Sequence, residues 1–250
     1  MFELRGATKA YRSTVALHST DLDIPPAKTT VLLGPSGCGK STVLRLLVGL
    51  IEPDRGGVLF ERTPLTKASL PEQRRRMGYV IQEGGLFPHL TGRANAALMP
   101  RYLGWPKDGV EARLSELMQL VQLSPETLNR YPGQLSGGQR QRISLMRALM
   151  LDPDALLLDE PLGALDPMIR SELQADLKRI FQQLNKTVVM VTHDLSEAAY
   201  LGENIVLMRE GRIVQRGSFS DLVERPGDAF VTRFINAQRP RWAAAESRPA

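Results

Sequence analysis

The sequence predicts an α/β fold organised around a parallel sheet. Short apolar runs of strand length recur along the 250 residues, separated by stretches with helical spacing of apolar side chains. One such run, at residues 31–33, passes directly into a glycine-rich loop and then into a helical pattern with Leu44, Leu47 and Leu50 on one side. Strand, glycine loop and helix in this order form a phosphate-binding unit. The length suits one such domain with a further lobe inserted in it.

The glycine-rich loop reads GPSGCGKS and has the spacing G-x-x-x-x-G-K-S of the P-loop. Gly34, Gly37 and Gly39 allow backbone angles that let N–H groups converge on an anion, and the following helix adds positive dipole. Lys40 is expected to reach the β- and γ-phosphates of a nucleotide, and the Ser41 hydroxyl to bind Mg²⁺. A chance glycine-rich turn is the alternative, which the flanking strand and helix make rare. The predicted nucleotide-binding residues are Gly34, Pro35, Ser36, Gly37, Cys38, Gly39, Lys40, Ser41 and Thr42.

Composition and charge exclude several classes of protein. No apolar run approaches the ~18 residues of a membrane-spanning helix, and the first residues do not resemble a secretory signal. The single cysteine, Cys38, excludes an internal disulfide, and its place near a helix start beside Lys40 favours a lowered thiol pKa. The net charge of +5 would suit nucleic acid or an anionic membrane, but it is concentrated in a few arginine-rich stretches. These features favour a cytosolic protein.

Two polar or aromatic residues before the middle of the chain are candidates for ligand contact. Residues 2–5 and 21–24 are predicted as strands around a turn, with Tyr11 between them. Tyr11 could stack on a base, although the sequence alone favours a core tyrosine. The strand predicted at residues 77–82 ends in Gln82. A polar side chain there often points into a ligand crevice, and an ordinary strand-exit residue is the alternative.

Prolines divide residues 86–150 into short helical stretches, which predicts a small helical lobe. Within it, LSGGQ at residues 135–139 precedes a helical run, and Ser136 is a good N-cap. Glycines at a helix start expose backbone N–H groups to an anion. This second anion site cannot easily serve the same nucleotide from the same side as the P-loop. It is therefore expected to cap a nucleotide bound to another subunit.

Two carboxylates end the buried strand predicted at residues 155–160. They are Asp159 and Glu160, and they come directly after an apolar run. Beside a P-loop, Asp159 is expected to hold Mg²⁺ and Glu160 to act as general base toward water. A helix-capping acidic pair is the alternative. The apolar strand at residues 187–192 is followed by His193, which could contact the γ-phosphate or be a satisfied polar residue.

Together these residues resemble the ATP-binding subunit of an ABC transporter. The family's motifs occur here in order: the P-loop at 34–41, the glutamine loop at Gln82, LSGGQ at 135–139, LLLDE at 156–160, ALD at 164–166 and the switch histidine His193. The resemblance implies a P-loop NTPase (RecA-like) core with an antiparallel β subdomain and an inserted α-helical subdomain at about 87–150. The nucleotide-binding domain would span residues 1–235, followed by a disordered tail at 236–250.

The resemblance also implies roles for single residues. Tyr11 would stack on adenine, Gln82 would contact Mg²⁺ and the attacking water, and His193 would contact the γ-phosphate. Two subunits would form a head-to-tail homodimer with Asp166 at the interface. Each ATP would lie between one P-loop and the partner subunit's signature residues, which are Ser136, Gly137, Gly138 and Gln139.

Closer detail resembles importer ATPases that serve glycine betaine, choline and related osmoprotectants. The similar segments are residues 79–91, 163–167 and 192–198, while Ala94 stands where the family commonly has a glutamate. The resemblance implies an ATPase at the cytoplasmic face of the inner membrane, working with permease subunits and indirectly with a substrate-binding protein, without nucleic acid. The alternatives are another small-solute transporter or a soluble ABC ATPase acting on nucleic acid or ribosomes.

Overall fold

The computed structural model describes residues 1–82, 84–163 and 165–238. Its centre is a six-stranded sheet in which every neighbouring pair is parallel except the pair at one edge, which confirms the predicted α/β class. From that edge, the strands are β10 (Arg212–Gly217), β9 (Asn204–Arg209), β3 (Thr29–Leu33), β8 (Thr187–Thr192), β7 (Ala155–Asp159) and β6 (Met77–Val80).

A second, antiparallel sheet lies over the P-loop side of the domain. In spatial order its strands are β2 (Thr14–Ile24), β1 (Phe2–Tyr11), β4 (Arg55–Phe60) and β5 (Thr63–Pro64). The strands predicted at 2–5 and 21–24 were too short, because β1 and β2 form one long hairpin that turns at residues 12–13. Register shifts between Leu4 and Ala10 interrupt the alternation of apolar and polar side chains, which hid the rest of the hairpin in the sequence.

Helices complete the domain. The helix after the P-loop is α1 (Lys40–Leu47), and α2 (Leu70–Arg75) precedes β6. Helices of 4 to 14 residues fill the region predicted as a helical lobe, and prolines occupy early positions of several of them. The lobe contains α3 (Gly92–Ala96), α4 (Leu98–Tyr102), α5 (Lys107–Leu120), α6 (Pro125–Leu128) and α7 (Gly137–Leu149). The remaining helices are α8 (Pro167–Leu184), α9 (Leu195–Leu201), α10 (Phe219–Glu224) and α11 (Ala229–Gln238).

The central sheet is buried on both faces, which explains why its strands read as continuous apolar runs. Val31 and Leu33 pack into one core cluster with the lobe, α8 and α11. Leu32 points to the other face and packs with α1 and the antiparallel sheet. Because all the parallel strands end at one edge, the polar residues that follow them meet there.

The last helix, α11, extends to Gln238, three residues past the predicted domain boundary at 235. Residues 239–250 of the predicted tail lie outside the described residues. None of the helices within the described ranges has the length and hydropathy needed to cross a bilayer.

Candidate functional site

The P-loop connects the carboxyl end of β3 to α1 and takes the backbone form expected of an anion cradle. Gly34, Gly37 and Gly39 have φ values of 148°, 76° and 105°. At Gly39 a Cβ atom would lie 2.5 Å from the Ala16 carbonyl oxygen, so no other residue fits without moving β2. The close packing of loop against strand therefore depends on glycine at this position.

The amino end of α1 is available to a negative ligand. Within the described part of the chain, no side chain caps it, and the first-turn N–H groups have no intrahelical partner. The Lys40 side chain is buried, and its Nζ donates to the carbonyls of Gly34 at 2.7 Å and Pro35 at 2.8 Å. An uncapped helix start with an ammonium group inside the same loop suits phosphate.

Ser41 and Asp159 join the P-loop to the end of β7. The Ser41 hydroxyl donates to Asp159 Oδ1 at 2.9 Å. Burial is the main cause that raises the pKa of Asp159, while the bond from Ser41 opposes it. The described ranges contain no cluster of three or more His, Cys, Asp or Glu side chains able to hold a metal. This hydroxyl–carboxylate pair offers hard oxygen ligands that fit Mg²⁺ when phosphate and water complete the shell.

Glu160 and His193 form a pair at the ends of β7 and β8. Glu160 Oε2 lies 3.2 Å from His193 Nδ1, and the Glu160 N–H donates to the Val191 carbonyl at 3.1 Å. Glu160 has a φ of 44°, an unusual conformation for a residue with a side chain. Backbone strain of this kind often occurs where a side chain must be aimed for function.

Tyr11 and Gln82 are both exposed. The Tyr11 side chain is 42% exposed at the end of the β1–β2 hairpin, so the interpretation as a core tyrosine is wrong. The same hairpin contacts the P-loop through Ala16 and Gly39. Gln82 lies just beyond β6, the strand that pairs with β7 in the sheet. Its side chain makes no hydrogen bond among the described residues.

The signature loop, residues 135–139, leads into the amino end of α7. Ser136 Oγ accepts from the Gln139 N–H, and Gln139 Oε1 accepts from the Ser136 N–H, which forms a capping box. A Cβ at Gly138 would lie 2.9 Å from Ile169 Cγ2, so α7 and α8 approach closely here. A cavity of about 330 Å³ beside this loop is lined by lobe and α8 residues, without the P-loop.

The structure thus brings the P-loop, Asp159, Glu160 and His193 together, and leaves the signature loop in the lobe. A family model described as ABC transporter matches residues 17–163, which include the P-loop, the signature loop and the two carboxylates. The chain belongs to the ABC transporter family.

Named relatives within this family differ in their solutes. The glycine betaine/carnitine/choline transport ATP-binding protein OpuCA of Bacillus subtilis is 43% identical over this whole chain and 65% of its own length. The sulfate/thiosulfate import ATP-binding protein CysA of Mycobacterium bovis is 46% identical over 92% of this chain and 65% of its own length. The chain therefore spans just under two thirds of the length of these relatives.

A solved ABC cassette has the same fold. It is described as a dimeric post-hydrolysis state bound to ADP and phosphate, with a TM-score of 0.80 and 32% identity over 88% of this chain and 99% of that one. The similarity confirms the predicted P-loop NTPase architecture for this ABC chain.

Asp166 is the last residue of the ALD motif and caps α8, since its Oδ1 accepts from the N–H groups of Met168 and Ile169, each at 3.1 Å. Sequence reasoning missed two residues near Gln82. Ser144 and Arg147, on α7, donate to backbone carbonyls just after Gln82. Motif spacing carried no signal for them, because their partners are backbone atoms.

The prediction of a lowered thiol pKa at Cys38 is wrong. Burial raises the pKa of the thiol despite the nearby Lys40 ammonium. We therefore expect a maleimide to alkylate Cys38 in the native chain at pH 7 about tenfold or more slowly than in the denatured chain. Mass spectrometry of timed samples measures both rates, with Cys38→Ser as the blank. Equal rates would contradict a buried, protonated thiol.

Proposed function

We propose that this chain is the ATP-hydrolysing subunit of a membrane importer for quaternary amines of the glycine betaine and choline type. The observation that best supports an ATPase is the meeting of the P-loop, Asp159 and the Glu160–His193 pair at one edge of the sheet. A phosphate cradle, oxygen ligands for a cation and a carboxylate positioned by a histidine suit phosphoryl transfer to water.

The binding step uses residues from both sheets. The triphosphate lies on the open amides at the start of α1, and the Lys40 ammonium neutralises the β- and γ-phosphates. Tyr11, exposed on the adjoining hairpin, stacks on adenine. Ser41 and Asp159 would hold Mg²⁺, and Gln82 would contact the ion and the attacking water. When bound, Mg²⁺ supplies positive charge to the phosphate oxygens.

In the hydrolysis step, Glu160 takes a proton from water while the water oxygen forms a bond to the γ-phosphorus. The bond from that phosphorus to the β–γ bridging oxygen breaks, the electron pair stays on that oxygen, and ADP leaves. His193 orients the Glu160 carboxylate and contacts the γ-phosphate. The proton on Glu160 then passes to the products.

Two copies of the chain complete each site in a head-to-tail homodimer. The cavity beside the signature loop is lined by Ser136, Gly138 and Gln139 and by no P-loop residue, so this loop is available to a second subunit's nucleotide. Asp166, at the start of α8, takes part in that interface, because its neighbour Leu165 packs closely on Gly137 of the signature loop. The dimeric form of the similar solved cassette supports this arrangement.

An apolar groove between the sheet and the lobe is the surface we assign to the permease. Its volume is about 450 Å³, and it contains the side chains of Tyr79, Met99 and Tyr102. Tyr102 is 81% exposed, unusual for so large an aromatic side chain. Docking there would hold the chain at the cytoplasmic face of the inner membrane and couple it, through the permease, to a substrate-binding protein.

The two relatives are named for different solutes. The OpuCA relative transports glycine betaine, carnitine and choline by name and aligns over the whole chain, which supports quaternary amines. The CysA relative, named for sulfate and thiosulfate, is slightly more identical over a shorter stretch. A transporter of another small solute is therefore the second candidate.

Co-purification from native cells tests the proposal. We expect the tagged Glu160→Gln chain, held with ATP and extracted in detergent, to bring down a multispanning permease. Reconstituted in vesicles with its substrate-binding protein, the same permease carrying the wild-type chain should import choline or glycine betaine with ATP, and the Lys40→Ala complex is the inactive control. Import of sulfate would favour the second candidate. Recovery of soluble protein or nucleic acid alone would contradict a transport function.

A further inference from the structure

The segment that follows Gln82 is fastened to the lobe by side chains of α7. The Ser144 hydroxyl donates to the Gly84 carbonyl at 2.6 Å. The Arg147 guanidinium donates to the same carbonyl at 3.0 Å and to the Gly85 carbonyl at 2.9 Å. Ser144 is fully buried, so its hydroxyl has no water to replace the Gly84 carbonyl. We call these bonds the α7 clamp.

The backbone beyond the α7 clamp is tied to the lobe as well. The buried amide of Asn95 accepts from the Phe87 N–H at 2.7 Å and donates to the carbonyls of Phe87, Leu90 and Thr91 at 3.0–3.1 Å. Asn95 belongs to α3, which packs on α7. The residues after Gln82 therefore belong to the same body as the signature helix.

The backbone before Gln82 belongs instead to the sheet. Val80 pairs with Leu158 in the parallel β6–β7 ladder. Residues 81–83 are all that separates this last strand residue from Gly84. Gln82 thus lies at the junction between the sheet, which holds Asp159 and Glu160, and the lobe, which holds the signature loop.

We propose that Ser144 and Arg147 are positioning residues that make Gln82 move with the signature helix. The inference rests on the proposed ATPase function and assigns to two α7 side chains the positioning of Gln82. When the signature loop of one subunit engages ATP on the other, α7 shifts with it, and the α7 clamp carries that subunit's own Gln82 into its own site. Each subunit then completes both sites at once.

The chemistry of Arg147 suits this task. A guanidinium presents parallel donors in a rigid plane, so it fixes the carbonyls of Gly84 and Gly85 relative to each other as well as to α7. Arg147 also lines the groove assigned to the permease, and its guanidinium lies 5.9 Å from the centre of the Phe87 ring. Motion of the docked partner would therefore reach Gln82 through this side chain.

A double-mutant cycle in the full chain tests the proposal. We expect Arg147→Met to lower kcat for ATP hydrolysis at least tenfold while the Kd for ADP stays within twofold, because the P-loop is untouched. In a Gln82→Ala background, Arg147→Met should lower kcat less than twofold further, because the clamp acts only through Gln82. Arg147→Lys keeps the charge but loses the parallel donors of the guanidinium, so it should give an intermediate kcat. It replaces the Met variant in the cycle if that variant does not fold.

Arg113→Met is the matched control. The Arg113 side chain is 16% exposed and donates to the Leu149 carbonyl at the far end of α7, at 2.9 Å. Arg113→Met should change kcat by the same factor whether position 82 holds Gln or Ala. Equal losses from Arg147→Met in both backgrounds would overturn the coupling while leaving the ATPase proposal intact. A wild-type chain that hydrolyses no ATP would overturn the proposed function itself.

Discussion

The Glu160→Gln chain is expected to bind ATP normally and to hydrolyse it about 10²–10⁴-fold more slowly than wild type, the range that general bases contribute. The amide has nearly the same shape as the carboxylate and can occupy the same place beside His193 Nδ1, which lies 3.2 Å from Glu160 Oε2, so the site should keep its geometry. It cannot take a proton from water. Steady-state phosphate release, together with a titration of binding by fluorescent ATP, measures both parts of the prediction.

Glu203→Gln is the control for this experiment. Glu203 accepts from the Thr29 N–H at 3.0 Å. Thr29 begins β3, and the site lies at the carboxyl ends of the parallel strands, so the same chemical change is made far from the site. Its turnover should match wild type. Normal turnover in Glu160→Gln would remove Glu160 from the role of base. Equal loss in both variants would show that the effect is general to the fold.

The strength of the sequence prediction follows from the parallel sheet. Polar residues that follow β3, β7 and β8 must meet at one edge, so strand ends alone brought Lys40, Asp159 and His193 to one site. The second glycine-rich helix start, at residues 135–139, also predicted an anion site separate from the P-loop. The Ser41–Asp159 bond joins residues 118 apart in the chain, yet each was predicted from its own local pattern.

What the sequence did not predict depends on contacts without a local pattern. The pKa of Cys38 depends on burial against the second sheet, which its neighbours in sequence do not reveal. The full β1–β2 hairpin was hidden by register shifts that break its alternation. The α7 clamp joins side chains to backbone carbonyls 60 or more residues away, and any residue type can supply such a carbonyl.

Lys40→Ala is expected to weaken ATP binding about 10- to 150-fold, because a hydrogen bond to a charged partner contributes ~1.5–3 kcal/mol. The Lys40 side chain also bonds to the carbonyls of Gly34 and Pro35, so its loss could loosen the loop itself. Lys40→Met separates the loss of packing from the loss of the ammonium group, since it fills the same space without the charge or its donors. If charge is the cause, both variants lose the same affinity in calorimetric titrations with ATP.

Lys186→Met is the control for the two Lys40 variants. Lys186 is also mostly buried, with 15% of its side chain exposed, and pairs with Asp152 at 2.9 Å away from the P-loop. Losing that pair should lower thermal stability slightly and leave the Kd for ATP unchanged. A large loss for Lys40→Ala with none for Lys40→Met would mean that the lysine shapes the loop and the amides bind the phosphate. An unchanged Kd in both Lys40 variants would contradict the P-loop as the ATP site.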